Sequence, residues 1–95
     1  MYKMQTTFMS DFAIAEKFGI AAVKETYRRC FKEWKSDYIY LTELAIVTNW
    51  LCWIHYEKGN EELSQIYCDY YYNTRDYALK HLKGEELSYY IRTTD

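Results

Sequence analysis

Cys52 and His55, three positions apart, and Cys68 and His81 farther on are the side chains best suited to hold a metal ion in this sequence of 95 residues. Neighbouring helices could present such a set. No Cys-x-x-Cys, His-Glu-x-x-His or Glu-x-x-His spacing accompanies it, so no metal and no cofactor is expected. With Cys30 the cysteines number three. That is too few, and too odd, for a disulfide framework, and all three fall at or near apolar helical faces, as free thiols of a reducing cytosol do. Catalysis through cysteine or tyrosine needs a nucleophile beside an oriented base, and no local signature marks one. The three glycines stand too far apart to cradle a phosphate. Glu61-Glu62 and Glu85-Glu86 look like paired carboxylates, but they sit where helices are expected to start, and the helix dipole accounts for them. The chain reads as a non-enzyme.

Two other groups of residues point to binding. Lys24, Arg28, Lys32 and Lys35 fall along one flank of a helical pattern. They are a docking flank for an acidic protein partner, or solvated charge paired with Glu57, Glu61, Glu62 and Asp69 at little energetic gain. Tyrosine is the second group, with 12 in so small a chain. Around Tyr70-Tyr71-Tyr72 the helical period turns Tyr67, Tyr70 and Tyr77 inward, leaves Tyr71 at the edge and points Tyr72 outward. Rigid aromatics of this kind anchor interfaces. Tyr71 and Tyr72 are therefore set beside the four basic residues as partner-binding candidates.

The elements that must position these groups are helices. The chain has no proline, and few glycines punctuate it. Ser10 is placed as an N-cap for a helix over 11–18, with Gly19 as its stop and residues 1–9 as a flexible arm. A second helix spans 20–35, with Ile20, Val23, Tyr27, Cys30, Phe31 and Trp34 on its apolar stripe. Glu25–Arg29 and Arg29–Glu33 are its expected i,i+4 pairs. Residues 38–58 are apolar on nearly every side, with Leu41, Leu44, Thr48, Leu51, Cys52 and His55 in one stripe and Ile39, Ile46, Trp50, Trp53 and Tyr56 filling the rest. Such a helix must be enclosed by other elements or by another subunit. Gly59-Asn60 closes it and caps a fourth helix over 61–82, and a short fifth helix covers 85–91 ahead of a fraying 93–95. The expected fold is all-α: a compact bundle of four main helices with a short C-terminal helix, residues 10–95 forming one domain around the central helix at about 38–58.

Net charge is −2. Residues 1–35 carry seven basic and four acidic residues, a net of +3, and the remainder carries five and ten, a net of −5. The whole is no polyanion magnet. One pattern still points to DNA. Ile14-Ala15 followed by Phe18-Gly19-Ile20 resembles the start of a helix-turn-helix, with helix 11–18 leading to a recognition helix over 20–35. It is degenerate, because Glu25 stands where the motif wants an apolar residue. No stretch of about 18 apolar residues runs uninterrupted, and the first residues lack a signal peptide's apolar core. A soluble, cytoplasmic protein without membrane attachment is expected.

The strings DFAIAEKFG, TYRRCFKEWKSDY, YLTELAIV, HYEKGNEEL and LKGEELSYYIRTTD resemble a small uncharacterised family of gut Bacteroides-type bacteria and their mobile elements. The resemblance covers nearly the whole chain and implies a bacterial, intracellular helical protein. It brings no activity and gives no residue a role. The leading functional expectation is a regulatory or protein-interaction domain that self-associates as a homodimer or docks another protein. The alternative is a small DNA-binding regulator.

Overall fold

Five helices account for the computed structural model, which describes residues 4–94. They are α1 (Met4–Phe18), α2 (Ile20–Trp34), α3 (Tyr38–Glu57), α4 (Glu61–His81) and α5 (Gly84–Thr94). Among the described residues there is no strand. The expected all-α bundle of four main helices with a short fifth is therefore observed, with a radius of gyration of 12.8 Å.

Short connections with specific chemistry separate the helices. Gly19 alone links α1 to α2, and its φ of 111° is one that a side chain would resist. Asp37 caps α3, its Oδ1 accepting from the amides of Ile39 (3.0 Å) and Tyr40 (3.3 Å). At the other end, Gly59 takes φ 80°. The Asn60 amide donates to the His55 carbonyl (2.8 Å) and the Gly59 amide to that of Tyr56 (3.1 Å). This is the paired bonding that ends a helix through a left-handed glycine.

Two apolar clusters share α3 as their common wall. Leu44, Val47 and Leu51 meet Phe8, Phe12 and Ala15 of α1, Val23, Tyr27 and Cys30 of α2, and Tyr67 of α4. Leu41 and Ala45 meet Ala78, Leu82 and Tyr90. Cys52 lies beside Ser64 while Leu41 lies with Leu82, so α3 and α4 are antiparallel. Edge-on and stacked rings seal the joints. Phe12 meets Tyr67 at 5.5 Å, Tyr27 stacks on Tyr70 at 4.0 Å, and Trp34 stacks on Tyr40 at 4.0 Å.

The first helix differs from expectation. It starts at Met4 rather than at residue 11, so residues 4–9 are helix and not an arm, and Ser10 is an exposed interior position rather than a cap. Phe8 supplies the reason. It is buried one turn before Phe12, against the ring of Tyr40 at 6.3 Å, and that burial extends the helix upstream. Residues 1–3 lie outside the described residues. At the other terminus α5 runs on to Thr94, whose hydroxyl donates to the Tyr90 carbonyl at 2.7 Å, so positions 93 and 94 are helical. Asp95 lies outside the described residues.

Candidate functional site

The central helix is enclosed over only part of its length. From Leu41 to Thr48 every residue is buried except the half-buried Ile46, and Glu43 is buried with them. Beyond Asn49 one flank opens. Trp50, Trp53, Ile54 and Tyr56 are 47%, 57%, 39% and 63% exposed. Spacings of three and four residues place these side chains side by side along the helix. Trp53 meets Tyr56 edge-on at 5.7 Å. The expectation was enclosure by other elements or by another subunit; this chain's own helices do not enclose Trp50, Trp53 and Tyr56. On the other side of this half, Glu16 of α1 bonds His55 and Tyr67 of α4 bonds Glu16, while the Ser64 hydroxyl reaches the Cys52 carbonyl at the edge of the flank.

A polar knot stands on that other side. His55 is buried in α3 with its ring stacked on Tyr67 at 5.6 Å. Asn60 Nδ2 donates to His55 Nδ1 at 3.0 Å, so that nitrogen is the acceptor and the proton sits on Nε2. His55 Nε2–H then donates to Glu16 Oε2 at 2.9 Å, and the Tyr67 hydroxyl donates to the same oxygen at 2.6 Å. Burial, and then the bond to Glu16, push the Tyr67 phenol well above the ordinary tyrosine value. A phenol held protonated against a carboxylate is a clamp rather than a nucleophile. The knot ties α1, α3 and α4 together behind the open flank and fixes the backbone that displays the tryptophans.

A shallow groove of about 370 Å³ runs beside the flank, lined by Cys52, Trp53, Tyr56, Ser64, Gln65 and Cys68. Of the four residues suited to a metal, the structure brings Cys52 and Cys68 together here. His55 is held in the knot, and His81 stacks on Tyr77 at 4.1 Å. Among the described residues no cluster of three or more His, Cys, Asp or Glu side chains forms a metal site.

The basic flank lies on α2 and its C-cap. Lys24, Arg28 and Lys32 are exposed, and Lys35 is half-buried, its Nζ 5.8 Å from the Phe31 ring centre and 5.7 Å from that of Tyr77. Arg28 reaches back to Glu25, with Nε donating at 3.0 Å and Nη2 at 2.6 Å, and this bond holds the Glu25 carboxyl below its usual range. The nearest acid on its own helix thus engages Arg28, in place of the acidic half of the chain. Tyr71 is half-buried and Tyr72 exposed, with ring centres 5.2 Å apart. The basic residues and these tyrosines lie on different helices, and no bond or ring contact joins the two groups among the described residues. Glu61 and Glu62 lie in the first turn of α4, and Glu85 and Glu86 in that of α5.

No family model, no curated protein and no solved structure matches the chain. Fold and site geometry define its class: an all-α bundle whose central helix is half enclosed and half displayed. No helix among the described residues is long and apolar enough to cross a membrane.

Proposed function

We propose that this chain is a non-enzymatic interaction domain that associates with a second copy of itself through the open flank of α3. The observation that carries the reading is the row of Trp50, Trp53, Ile54 and Tyr56, half exposed on the helix that forms the common wall of both apolar clusters. Large, rigid aromatics on a fixed backbone lose little entropy on docking and dominate interface energetics. At 150–250 Å² per aromatic side chain, half-exposed, the row offers roughly 400 Å², the size of patch that on monomers is often functional. Two copies would bury roughly 800 Å² before rim residues are added, which approaches the low end of specific interfaces and suits a concentration-dependent dimer. The exposed Glu57 and Lys58 at the end of the row carry opposite charges. A two-fold axis sets the acid of one copy against the base of the other.

Light scattering at micromolar concentration tests the reading. A mass above the single chain is expected, and Trp50→Glu with Trp53→Glu restores the single-chain mass without loss of helicity. A strict monomer in the unaltered chain overturns it. The alternative, a DNA-binding regulator using residues 20–35, rests on the exposed Lys24 and Lys32. It predicts retention of duplex DNA that weakens steeply with salt and is lost in Lys24→Glu/Arg28→Glu. The cytoplasmic, bacterial and mobile-element setting implied by the resemblance belongs to the same proposal, and the neighbouring genes of its operon test it.

A further inference from the structure

Cys52 on α3 and Cys68 on α4 are half-buried free thiols lining one groove. Ser64 organises them. Its hydroxyl donates to the Cys52 carbonyl at 2.9 Å and lies 3.7 Å from Cys52 Sγ. Because that hydroxyl proton is already used, Ser64 Oγ is left to accept from the Cys52 thiol. Cys68 follows Ser64 by four residues, so it projects from the same face of α4 into the groove that Cys52 lines, and burial first, then the neighbouring Cys52, raise its pKa. Two sulfurs from two antiparallel helices are thus adjacent and open to solvent.

Neighbouring thiols have two common fates, a direct disulfide or a shared soft ion. The helices touch at Ser64, where a small side chain reaches the backbone of α3. Cys68 lies one turn beyond, about 6 Å along α4 at the helical rise per residue. A disulfide fixes its two Cα atoms about 4.4–6.8 Å apart. An ion between the sulfurs adds two bonds of roughly 2.3 Å to the bridge and removes that demand. Zinc would call for more ligands than two, and among the described residues no third one joins the pair in a cluster.

We propose that Cys52 and Cys68 form a two-thiolate site for a soft monovalent cation of the Cu(I) type. Thiolate ligands select such ions, and two suffice for linear coordination. One cation and two thiols give one anionic bis-thiolate complex and two protons released to solvent, so affinity rises with pH. Trp53 and Tyr56 line the same groove. The inference stands apart from the docking reading and survives its failure.

The test is an anaerobic titration of the reduced full chain with Cu(I) against bicinchoninate as a coloured competitor. One ion withdrawn per chain is expected. Cys52→Ser and Cys68→Ser should each weaken withdrawal on the order of 100-fold or more, since loss of an outer-shell partner alone costs 10–100-fold. Cys30→Ser, buried in the core and not part of the groove lining, should match the unaltered chain. The proposal is overturned if no ion is withdrawn, if half an ion per chain is bound, if either serine variant binds normally, or if binding depends equally on Cys30. Should a serine variant lose helicity, alkylation of the unaltered chain decides. Iodoacetamide labelling of Cys52 and Cys68 is expected to slow when Cu(I) is present, and equal rates with and without Cu(I) overturn the proposal.

Discussion

The two halves of α3 have similar apolar content and opposite surroundings. Leu41, Thr42, Leu44, Ala45, Val47 and Thr48 are small or branched and fully enclosed. Trp50, Trp53, Ile54 and Tyr56 are mostly large and ring-bearing, and they are half open to solvent. Four helices cover the first half, whereas the second has a polar knot behind it and solvent in front. Total hydrophobicity therefore does not decide burial along a helix. Whether a neighbouring helix faces the residue does: Tyr27, Tyr67 and Tyr90 are buried where helices meet, whereas the branched Ile54 is open beside the tryptophans.

The largest expected effect that sharpens this contrast is alkaline unfolding. Burial raises the phenols of Tyr27, Tyr67, Tyr70 and Tyr90 above their ordinary value and pushes the Cys30 thiol up to about 11. The folded chain keeps protons that the unfolded chain releases above about pH 10 for tyrosine. Stability from these groups is thus intact below the unfolded values and is lost as pH rises through the folded ones. Urea unfolding at pH 8, 10 and 11 should show a falling midpoint, and a flat profile would mean these side chains are not enclosed.

Leu44→Ala comes next. It hollows the enclosed half and should cost about 2–5 kcal/mol by urea unfolding at neutral pH. That is a large share of the roughly 5–15 kcal/mol that holds a domain together. Glu16→Ala follows, because it strips the acceptor shared by His55 and Tyr67. It should cost about 1–3 kcal/mol, and Glu16→Gln, which keeps an acceptor oxygen, should cost less. Equal losses for the two variants would show that geometry rather than hydrogen bonding holds α1 in place.

Helix number, order and most boundaries were legible in the sequence because they depend on local periodicity and on Gly19 and Gly59. The start of α1 was not. Ser10-Asp11 has the look of a cap, and the partner that makes Phe8 a core residue, Tyr40, lies 32 positions away. Asn60 was legible as a helix boundary, yet its side chain bonds the histidine behind it rather than the helix ahead. The knot was invisible for a similar reason. Glu16 and His55 are 39 positions apart, and no spacing rule connects them. The open flank did leave a trace: the change from leucine, alanine and valine to tryptophan and tyrosine near Asn49 marks the place where enclosure ends.

Two smaller changes probe the contrast from either side. The Tyr90 hydroxyl is buried with no hydrogen-bond partner among the described residues. Tyr90→Phe should therefore leave stability unchanged or raise it by up to about 1 kcal/mol, unlike Tyr67→Phe, which discards a bond to Glu16. Tyr56→Ser, on the open flank, is the smallest. Read on the dilute single chain, it should shift unfolding by no more than about 0.5 kcal/mol, as surface changes do. The same change should still raise the concentration at which larger species form, because an interface anchor matters only once a second molecule arrives. A loss of several kcal/mol in the dilute chain would place Tyr56 in the core's service and remove the distinction between the two halves. A small loss with unchanged association would leave the halves distinct and move the docking anchor to Trp50 and Trp53.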